Sequence, residues 1–121
     1  MPPEFTIRFF GSELHCASVY GNLDRVKELI KDYDVNLINQ SNITPLHYAT
    51  IEGHLDIVKF LLNNGANANA TYEGETRPLH IASLNGHYEI LKILVKLTEV
   101  DIKLDDGTTS LILGQFPLFM E

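Results

Sequence analysis

The sequence predicts an all-α repeat solenoid, that is, a row of helical hairpins stacked side by side. A short motif recurs at a fixed period: residues 44–49 read TPLHYA, residues 77–82 read RPLHIA and residues 14–17 read LHCA, with equivalent positions 32 or 33 residues apart. A glycine follows each copy, and an apolar block with helical spacing follows each glycine. A constant period of this length is typical of stacked repeat architectures.

The first helix of each unit is predicted from its capping residues. In the middle unit, Thr44 is a suitable N-cap, and Pro45 stands in the first turn, where its missing N–H costs nothing. The helix is expected to run to about Glu52 and to end at Gly53, because glycine adopts the left-handed conformation most cheaply. The equivalent glycines of the other two units predict the same ending.

The second helix of each unit is predicted from a single apolar stripe. In the middle unit the stripe consists of Leu55, Val58, Leu61 and Leu62. The first unit has the same stripe at Leu23, Val26, Leu29 and Ile30. One hairpin cannot bury its stripe alone, so the units are expected to stack and to share a core at their interfaces.

Composition and charge disfavour several other classes of protein. The chain has 121 residues, of which 45% are hydrophobic and 21% charged, as expected of one folded domain. Nine lysines and arginines against sixteen aspartates and glutamates give a net charge of −7, which disfavours nucleic acid and anionic membranes as partners. No apolar run approaches the ~20 residues that span a bilayer, and the first residues lack the layout of a secretory signal. An intracellular, cytoplasmic protein is expected, with a nuclear location also open.

The motif TPLH, the alanine after it and the Gly-His pair before an apolar helix resemble the signature of the ankyrin-repeat family, most clearly between residues 44 and 62. The resemblance covers about residues 12–113. It implies stacked helix-turn-helix units with short projecting β-turn fingers and a concave binding face. It also implies that the motif histidines tie the start of a helix to the backbone.

The family pattern gives the expected organisation of the chain. It consists of an N-terminal extension or improvised cap at 1–11, an ankyrin repeat array at 12–113 with units at about 12–43, 44–76 and 77–108 and then a partial unit, and an apolar tail at 114–121. The chain departs from the pattern at the cap positions Ser12 and Arg77 and at Ser110, which replaces proline. Asn42 stands where the family prefers glycine, but asparagine can also adopt the left-handed conformation.

The sequence does not favour a catalytic or metal site. His15, His47 and His80 recur in register, but equivalent atoms of neighbouring units lie ~8–10 Å apart, too far to share one zinc ion. Cys16 is the only cysteine, and its neighbour His15 points ~100° away on a helix, so the two cannot form a nucleophile and base pair. We expect no enzyme activity, no cofactor and no metal.

A partner protein is expected to bind through residues that the stack does not need. Val19, Ile51 and Leu84 are aligned in the last turns of the first helices, which the resemblance places on the concave side. They would form an exposed apolar row, a feature that often marks a binding site, unless they pack against the bases of their own fingers. The other candidate residues flank this row or lie in the fingers: Tyr20, Glu52, Asn85, Gln40, Ser41, Ile43, Glu73 and Glu75. Acidic fingers, which also include Asp105 and Asp106, favour a partner with an apolar and basic surface.

The ends of the array allow more than one interpretation. Phe5, Ile7 and Phe9 alternate and predict a short strand or extended arm. Beyond residue 113 the chain is apolar, and Pro117 stops a complete fourth hairpin. These segments act as caps, or the chain is a fragment of a longer array, or uncapped ends associate into a weak homodimer. The sequence thus predicts a protein-binding adaptor, scaffold or regulatory subunit, with a structural or self-assembling repeat unit as the alternative.

Overall fold

The computed structural model describes residues 4–98, and seven α-helices follow one another in that range. They are α1 (Glu4–Phe10), α2 (Glu13–Tyr20), α3 (Leu23–Leu29), α4 (Pro45–Glu52), α5 (Leu55–Asn63), α6 (Pro78–Asn85) and α7 (Tyr88–Thr98). Among the described helices, none has the length and apolar character needed to cross a membrane. The predicted partial fourth unit and the apolar tail at 114–121 lie outside the described residues.

The helices form three hairpins that stack in two layers. Each hairpin pairs a first helix with a second: α2 with α3, α4 with α5, and α6 with α7. The first helices contact one another in the order α2, α4, α6, and the second helices contact one another in the order α3, α5, α7. The predicted solenoid of stacked helical hairpins is therefore confirmed for the described part of the chain.

The core runs between the two layers and repeats from unit to unit. Leu14, Leu46 and Leu79 occupy matching places in α2, α4 and α6, and none is more than 4% exposed. The other repeated core positions are Ala17, Ala49 and Ala82, then Val26, Val58 and Leu91, then Leu29, Leu61 and Leu94, and finally Ile57 and Ile90. Burying each leucine or isoleucine stabilises the stack by about 1.5–3 kcal/mol relative to exposure.

The capping residues act as the sequence predicts in two of the three units. Thr44 Oγ1 accepts the backbone N–H of His47 at 3.2 Å, and the N–H of Thr44 donates to His47 Nδ1 at 3.0 Å. The Ser12 hydroxyl likewise accepts the backbone N–H of His15, at 3.2 Å. Gly53 ends α4 in the left-handed conformation, with φ of 76°. The third unit differs because Arg77, at the start of α6, has no side-chain acceptor and makes no capping bond.

The prediction of a strand or extended arm at Phe5, Ile7 and Phe9 was wrong, since these residues belong to α1. The alternation of apolar residues suggested a period of two. However, Glu4 and Arg8 form an ion pair at 3.6 Å across one helical turn, and Phe5 and Phe9 have the same i, i+4 spacing. The helix α1 packs against α2 at the start of the stack.

The segments between hairpins form the tight turns expected of fingers. In the first finger Asn42 has φ of 65°, in agreement with its predicted left-handed role. In the second finger Tyr72 and Thr76 form an isolated antiparallel bridge. Between them Glu73 and Glu75 have positive φ values of 26° and 65°, so the acidic side chains stand at the tip of a sharply turned loop.

Candidate functional site

The candidate site is built around the apolar row, Val19, Ile51 and Leu84, in the last turns of α2, α4 and α6. Leu84 is 84% exposed, whereas Val19 and Ile51 are half-buried. The row therefore offers apolar surface mainly at its α6 end. Exposed apolar area is unfavourable in water by about 25 cal/mol per Å², and a partner that covers Leu84 removes that cost.

Two histidines fix the backbone beneath this row. His54 Nε2 lies 2.9 Å from the carbonyl oxygen of Val19, and His87 Nε2 lies 3.1 Å from that of Ile51. Because a carbonyl oxygen only accepts, Nε2 carries the proton in both rings. The Asn85 side chain also donates to the Ile51 carbonyl, at 3.3 Å. The last turn of a first helix is thus held by the unit that follows it.

The residues that flank the row are exposed. Tyr20 is 58% exposed, and its ring meets the ring of Phe10 edge-on with centroids 6.2 Å apart. Glu52 and Asn85 are also exposed, next to Ile51 and Leu84 in sequence. The surface consequently combines an aromatic ring, an amide and a carboxylate with the apolar row, and aromatic residues are enriched in protein interfaces.

The finger residues predicted for the site differ in their exposure and in the hydrogen bonds that they form. Gln40 and Ser41 are exposed, but the Gln40 amide donates to the carbonyl oxygen of Phe9 at 3.4 Å, so the first finger is tied to α1. Ile43 is half-buried, and its carbonyl oxygen accepts from His15. The second finger is more open, since Glu73 and Glu75 are exposed and neither carboxylate forms an ion pair with another described residue. Asp105 and Asp106 lie outside the described residues.

The motif histidines belong to the scaffold. His47 Nε2 lies 2.9 Å from the carbonyl oxygen of Ala70, and Nδ1 accepts the N–H of Thr44. His15 Nδ1 accepts a hydrogen bond from the Ser12 hydroxyl at 2.8 Å, and its Nε2 lies 2.9 Å from the Ile43 carbonyl oxygen. Burial lowers the pKa of both imidazoles below the ordinary value of about 6.5. In each of these two rings both nitrogens are hydrogen-bonded within the fold, so neither nitrogen has a lone pair available for a metal ion.

His80 occupies the same motif position with different surroundings. Its Nδ1 accepts the N–H of Arg77 at 3.2 Å, and the residue is exposed. Partial desolvation of the ring is the larger cause that lowers the pKa of this imidazole, and the positive charge of Arg77 is the second. His80 therefore repeats the tie to the helix start without the capping hydroxyl of the other two units.

Cys16 lacks the features of a nucleophile. The residue is buried, and its Sγ lies 3.5 Å from the carbonyl oxygen of Thr6 in α1. Burial first, and the carboxylate of Glu13 second, raise the pKa of the thiol. A raised pKa reduces the thiolate fraction at neutral pH, and the adjacent His15 ring is bonded elsewhere.

Sequence reasoning missed a cluster that joins α1 to the first finger. The Phe10 and Tyr48 rings meet edge-on with centroids 5.4 Å apart. The Asn39 amide donates to the Phe10 carbonyl oxygen at 2.7 Å and to the Tyr48 hydroxyl at 3.3 Å. Its Oδ1 also accepts the N–H groups of Ser41 and Ile43. The i, i+4 spacing of the charged pair in α1 is the signal that could have revealed the helix and hence this contact.

Comparison with known proteins places this geometry in context. A family model described as ankyrin repeats (3 copies) matches residues 14–106. Alpha-latrotoxin-Lh1a of Latrodectus hasselti is 45% identical over 56 residues, which are 46% of this chain and 4% of the toxin. Ankyrin repeat domain-containing protein 7 of Homo sapiens is 46% identical over 52 residues, which are 41% of this chain and 20% of that protein.

A third relative is named as an enzyme. The palmitoyltransferase ZDHHC13 of Homo sapiens is 43% identical over 51 residues, which are 41% of this chain and 8% of the relative. The chain thus spans between 4% and 20% of the length of these three proteins. The similarity concerns a repeat segment that occurs in proteins of several kinds.

Proposed function

Because this chain belongs to the ankyrin-repeat family, whose repeats are a generic protein-interaction module, we propose that it is a non-catalytic adaptor, scaffold or regulatory subunit that binds a partner protein. The proposed binding surface is the concave face formed by the apolar row, its flanking residues and the finger tips. Repeats of this kind occur in a toxin, in an ankyrin repeat domain-containing protein and in a palmitoyltransferase, which supports a role in recognition rather than in one reaction.

The observation that carries this proposal is the exposure of Leu84. A leucine that is 84% exposed, in register with Ile51 and Val19, contributes nothing to the core of the stack. The backbone beneath Val19 and Ile51 is fixed by histidine bonds, so the surface is preorganised. Preorganisation favours binding because little conformational freedom is lost on association.

Charge indicates the chemistry of the partner. Glu52, Glu73 and Glu75 are exposed, and the chain carries a net charge of −7. A partner with a basic rim around an apolar patch would be attracted during encounter and would cover Leu84 on docking. We therefore propose a partner protein with an apolar and basic surface.

The proposal is tested by capturing binding proteins from a lysate with the full chain and then measuring their affinities for purified variants. The double substitution I51A/L84A is expected to weaken the specific partner by about tenfold or more, because truncating central apolar contacts of an interface costs at least ~1–2 kcal/mol. L97A is the matched control, since Leu97 is another exposed helical leucine, at 53% exposure, but lies in α7. Unchanged affinity of I51A/L84A, with helicity intact by circular dichroism, would refute the proposed surface.

The charge component needs a separate measurement. The substitution pair E73Q/E75Q should lower the association rate constant of the same partner severalfold at low salt and leave the dissociation rate nearly unchanged, because finger-tip charges act mainly on encounter. The difference should vanish at high salt. An association rate that is independent of both salt and substitution would show that the partner is not basic.

Oligomeric state distinguishes the proposal from a self-assembling repeat unit. Light scattering at several concentrations should give a monomer if the chain recognises other proteins. Assembly abolished by substitutions within residues 112–120 would favour the structural alternative. The intracellular, cytoplasmic location stays a prediction.

A further inference from the structure

The second-helix layer carries a groove that is separate from the apolar row. It lies between α5 and α7, is open to solvent and has a volume of about 370 Å³. Its lining consists of Lys59, Leu62 and Asn63 from α5 and of Ile93, Lys96 and Leu97 from α7. On each helix these three positions are i, i+3 and i+4, so they share one face.

The repeat pattern changes at this groove. One unit earlier, the Lys27 ammonium lies over the ring of Phe60, 5.8 Å from its centroid, as in a cation–π contact. Lys59 and Ile93 occupy the equivalent positions in the next pair of second helices. Ile93 has no ring, so the Lys59 ammonium loses that partner, and the smaller side chain leaves space beside it.

The two lysines of the groove form no ion pair with any other described residue. Lys59 and Lys96 are exposed, and neither forms an ion pair or hydrogen bond with another described residue. In contrast, Lys92, which is on α7 but outside the groove, pairs with Glu89 at 3.4 Å. Among the described residues that line the groove, none carries a carboxylate. Within the part of the chain that the structure describes, two lysines without ion-pair partners therefore line one groove.

The space between the two lysines is apolar. Leu62 and Ile93 are half-buried, and Leu97 is 53% exposed. Together these three side chains give the groove a shallow apolar surface of the size of one or two large side chains. Charge at the edges and apolar area in the middle is the arrangement found in specific protein interfaces.

We propose that this groove binds a short acidic segment of a partner protein that carries one or two large apolar side chains. The apolar side chains of that segment lie on Leu62, Ile93 and Leu97, and its carboxylates pair with Lys59 and Lys96. The partner differs from the one proposed for the apolar row, because that row is bordered by carboxylates. An anionic membrane is the less suitable occupant, since the net charge of −7 repels it.

The test is an NMR titration of the full chain, observed through its methyl groups, with a short synthetic peptide built from glutamate and leucine. We expect the methyl signals of Leu62, Ile93 and Leu97 to shift on binding. A peptide with glutamine in place of every glutamate should shift them much less. The core methyl signals of Leu46 report whether each protein variant remains folded.

Two matched pairs of substitutions assign the charge contribution. The pair K59Q/K96Q should weaken binding of the acidic peptide by about tenfold, as expected for two surface ion pairs of up to ~1 kcal/mol each. The control pair K31Q/K92Q removes the same charge from exposed lysines outside the groove and should weaken binding by less than about twofold. Equal effects of the two pairs would overturn the proposal.

Other occupants give different results, and each of them would also overturn the proposal. Contacts between the Leu97 methyls and residues 99–121 in the free chain would mean that the chain fills its own groove. Shifts of the groove methyls with protein concentration alone would indicate a second copy. Binding of phosphatidylserine vesicles that is lost in K59Q/K96Q, without peptide binding, would indicate a membrane. The substitution pair I51A/L84A should leave peptide binding unchanged, so failure here is distinct from failure at the apolar row.

Discussion

At the residue scale, the histidines of this chain connect backbone segments that side-chain packing alone would not align. His15 and His47 join the start of a first helix to the finger region that follows it, through their hydrogen bonds to carbonyl oxygens at 2.9 Å. His54 and His87 join the start of a second helix to the end of the first helix in the preceding unit. His54 and His87 thus fix the position of one unit on the next, whereas His15 and His47 fix each first helix to the finger of its own unit.

Buried neutral histidines make stability depend on pH. The pKa values of His15 and His47 are lower in the folded chain than the ordinary value of about 6.5, because burial disfavours the charged form. As pH falls through about 6.5, the unfolded chain therefore takes up protons that the folded chain does not. The free energy of unfolding should be highest above this pH and should decrease progressively below it, towards the folded pKa values.

Urea unfolding at pH values between about 7.5 and 5.5 measures this dependence, a range in which most carboxylates remain ionised. The variant H47Q should be less stable at neutral pH and should lose part of the pH dependence. A free energy of unfolding that stays constant or increases on acidification would contradict the assignment of neutral, buried imidazoles.

Gly53, which ends α4, is required for two separate reasons, its positive φ and the close approach of the next unit. Gly53 has φ of 76°, and a Cβ added there would lie 2.6 Å from Cε1 of His87. Gly74 has φ of 63°, and a Cβ there would meet nothing within 4 Å among the described residues. The variant G74A should cost about 1 kcal/mol from backbone strain alone.

G53A adds displacement of the His87 ring and loss of its hydrogen bond, so it should cost at least about 1 kcal/mol more than G74A. Chemical denaturation of both variants gives the comparison. Equal losses in the two variants would show that the histidine ring moves aside without cost.

At the element scale, the first helices of the three units, α2, α4 and α6, are equivalent in position but have different N-caps. The N-caps that precede α2 and α4 are Ser12 and Thr44, and the hydroxyl of each accepts a backbone N–H at 3.2 Å. α6 begins with Arg77, which has no acceptor, although Pro78 and the His80 tie are retained. This difference makes α6 the helix whose start is most easily improved.

The variant R77T should stabilise the chain by about 0.5–1 kcal/mol, because the threonine hydroxyl can accept the N–H of His80 as Thr44 accepts that of His47. It also removes the positive charge that lowers the pKa of His80, so that this pKa should rise. Thermal or urea unfolding and an NMR titration of the ring measure the two effects. A loss of stability would indicate that Arg77 has a role other than capping.

The elements also show what the sequence could and could not predict. The repeat, the caps at Thr44 and Ser12 and the helix end at Gly53 follow from local rules, and the structure contains all three. α1 was misread because the alternation of its apolar residues outweighed the i, i+4 pair of Glu4 and Arg8. Local rules describe one segment at a time, so a segment with two periodicities remains ambiguous.

The groove between α5 and α7 was not predictable for a different reason. It depends on the replacement of an aromatic ring at Phe60 by Ile93 in the next unit, and on which lysines remain unpaired after the helices have packed. Likewise, the sequence predicted an exposed apolar row, with packing against the fingers as the alternative, yet of its three residues only Leu84 is largely exposed. Exposure depends on neighbours from other units, and the order of residues within one unit does not contain that information.

At the scale of the whole molecule, stacking separates two surfaces of opposite character. The first-helix ends and the second finger carry the apolar row together with exposed carboxylates. The second-helix layer carries a groove with two lysines that pair with no other residue in the range 4–98. We propose that this chain, with its net charge of −7, binds a basic partner at one surface and an acidic segment at the other, because the two surfaces belong to different helix layers.

The most direct test of the central claim, that the apolar row is the principal partner-binding surface, is hydroxyl-radical footprinting of the full chain with and without its captured partner. Leu84 and Leu97 are both exposed leucines, one in the row and one in the outer groove. The oxidation rate of Leu84 should fall severalfold in the complex, while that of Leu97 should stay the same. An unchanged rate at Leu84, or protection of Leu97 alone, would contradict the claim.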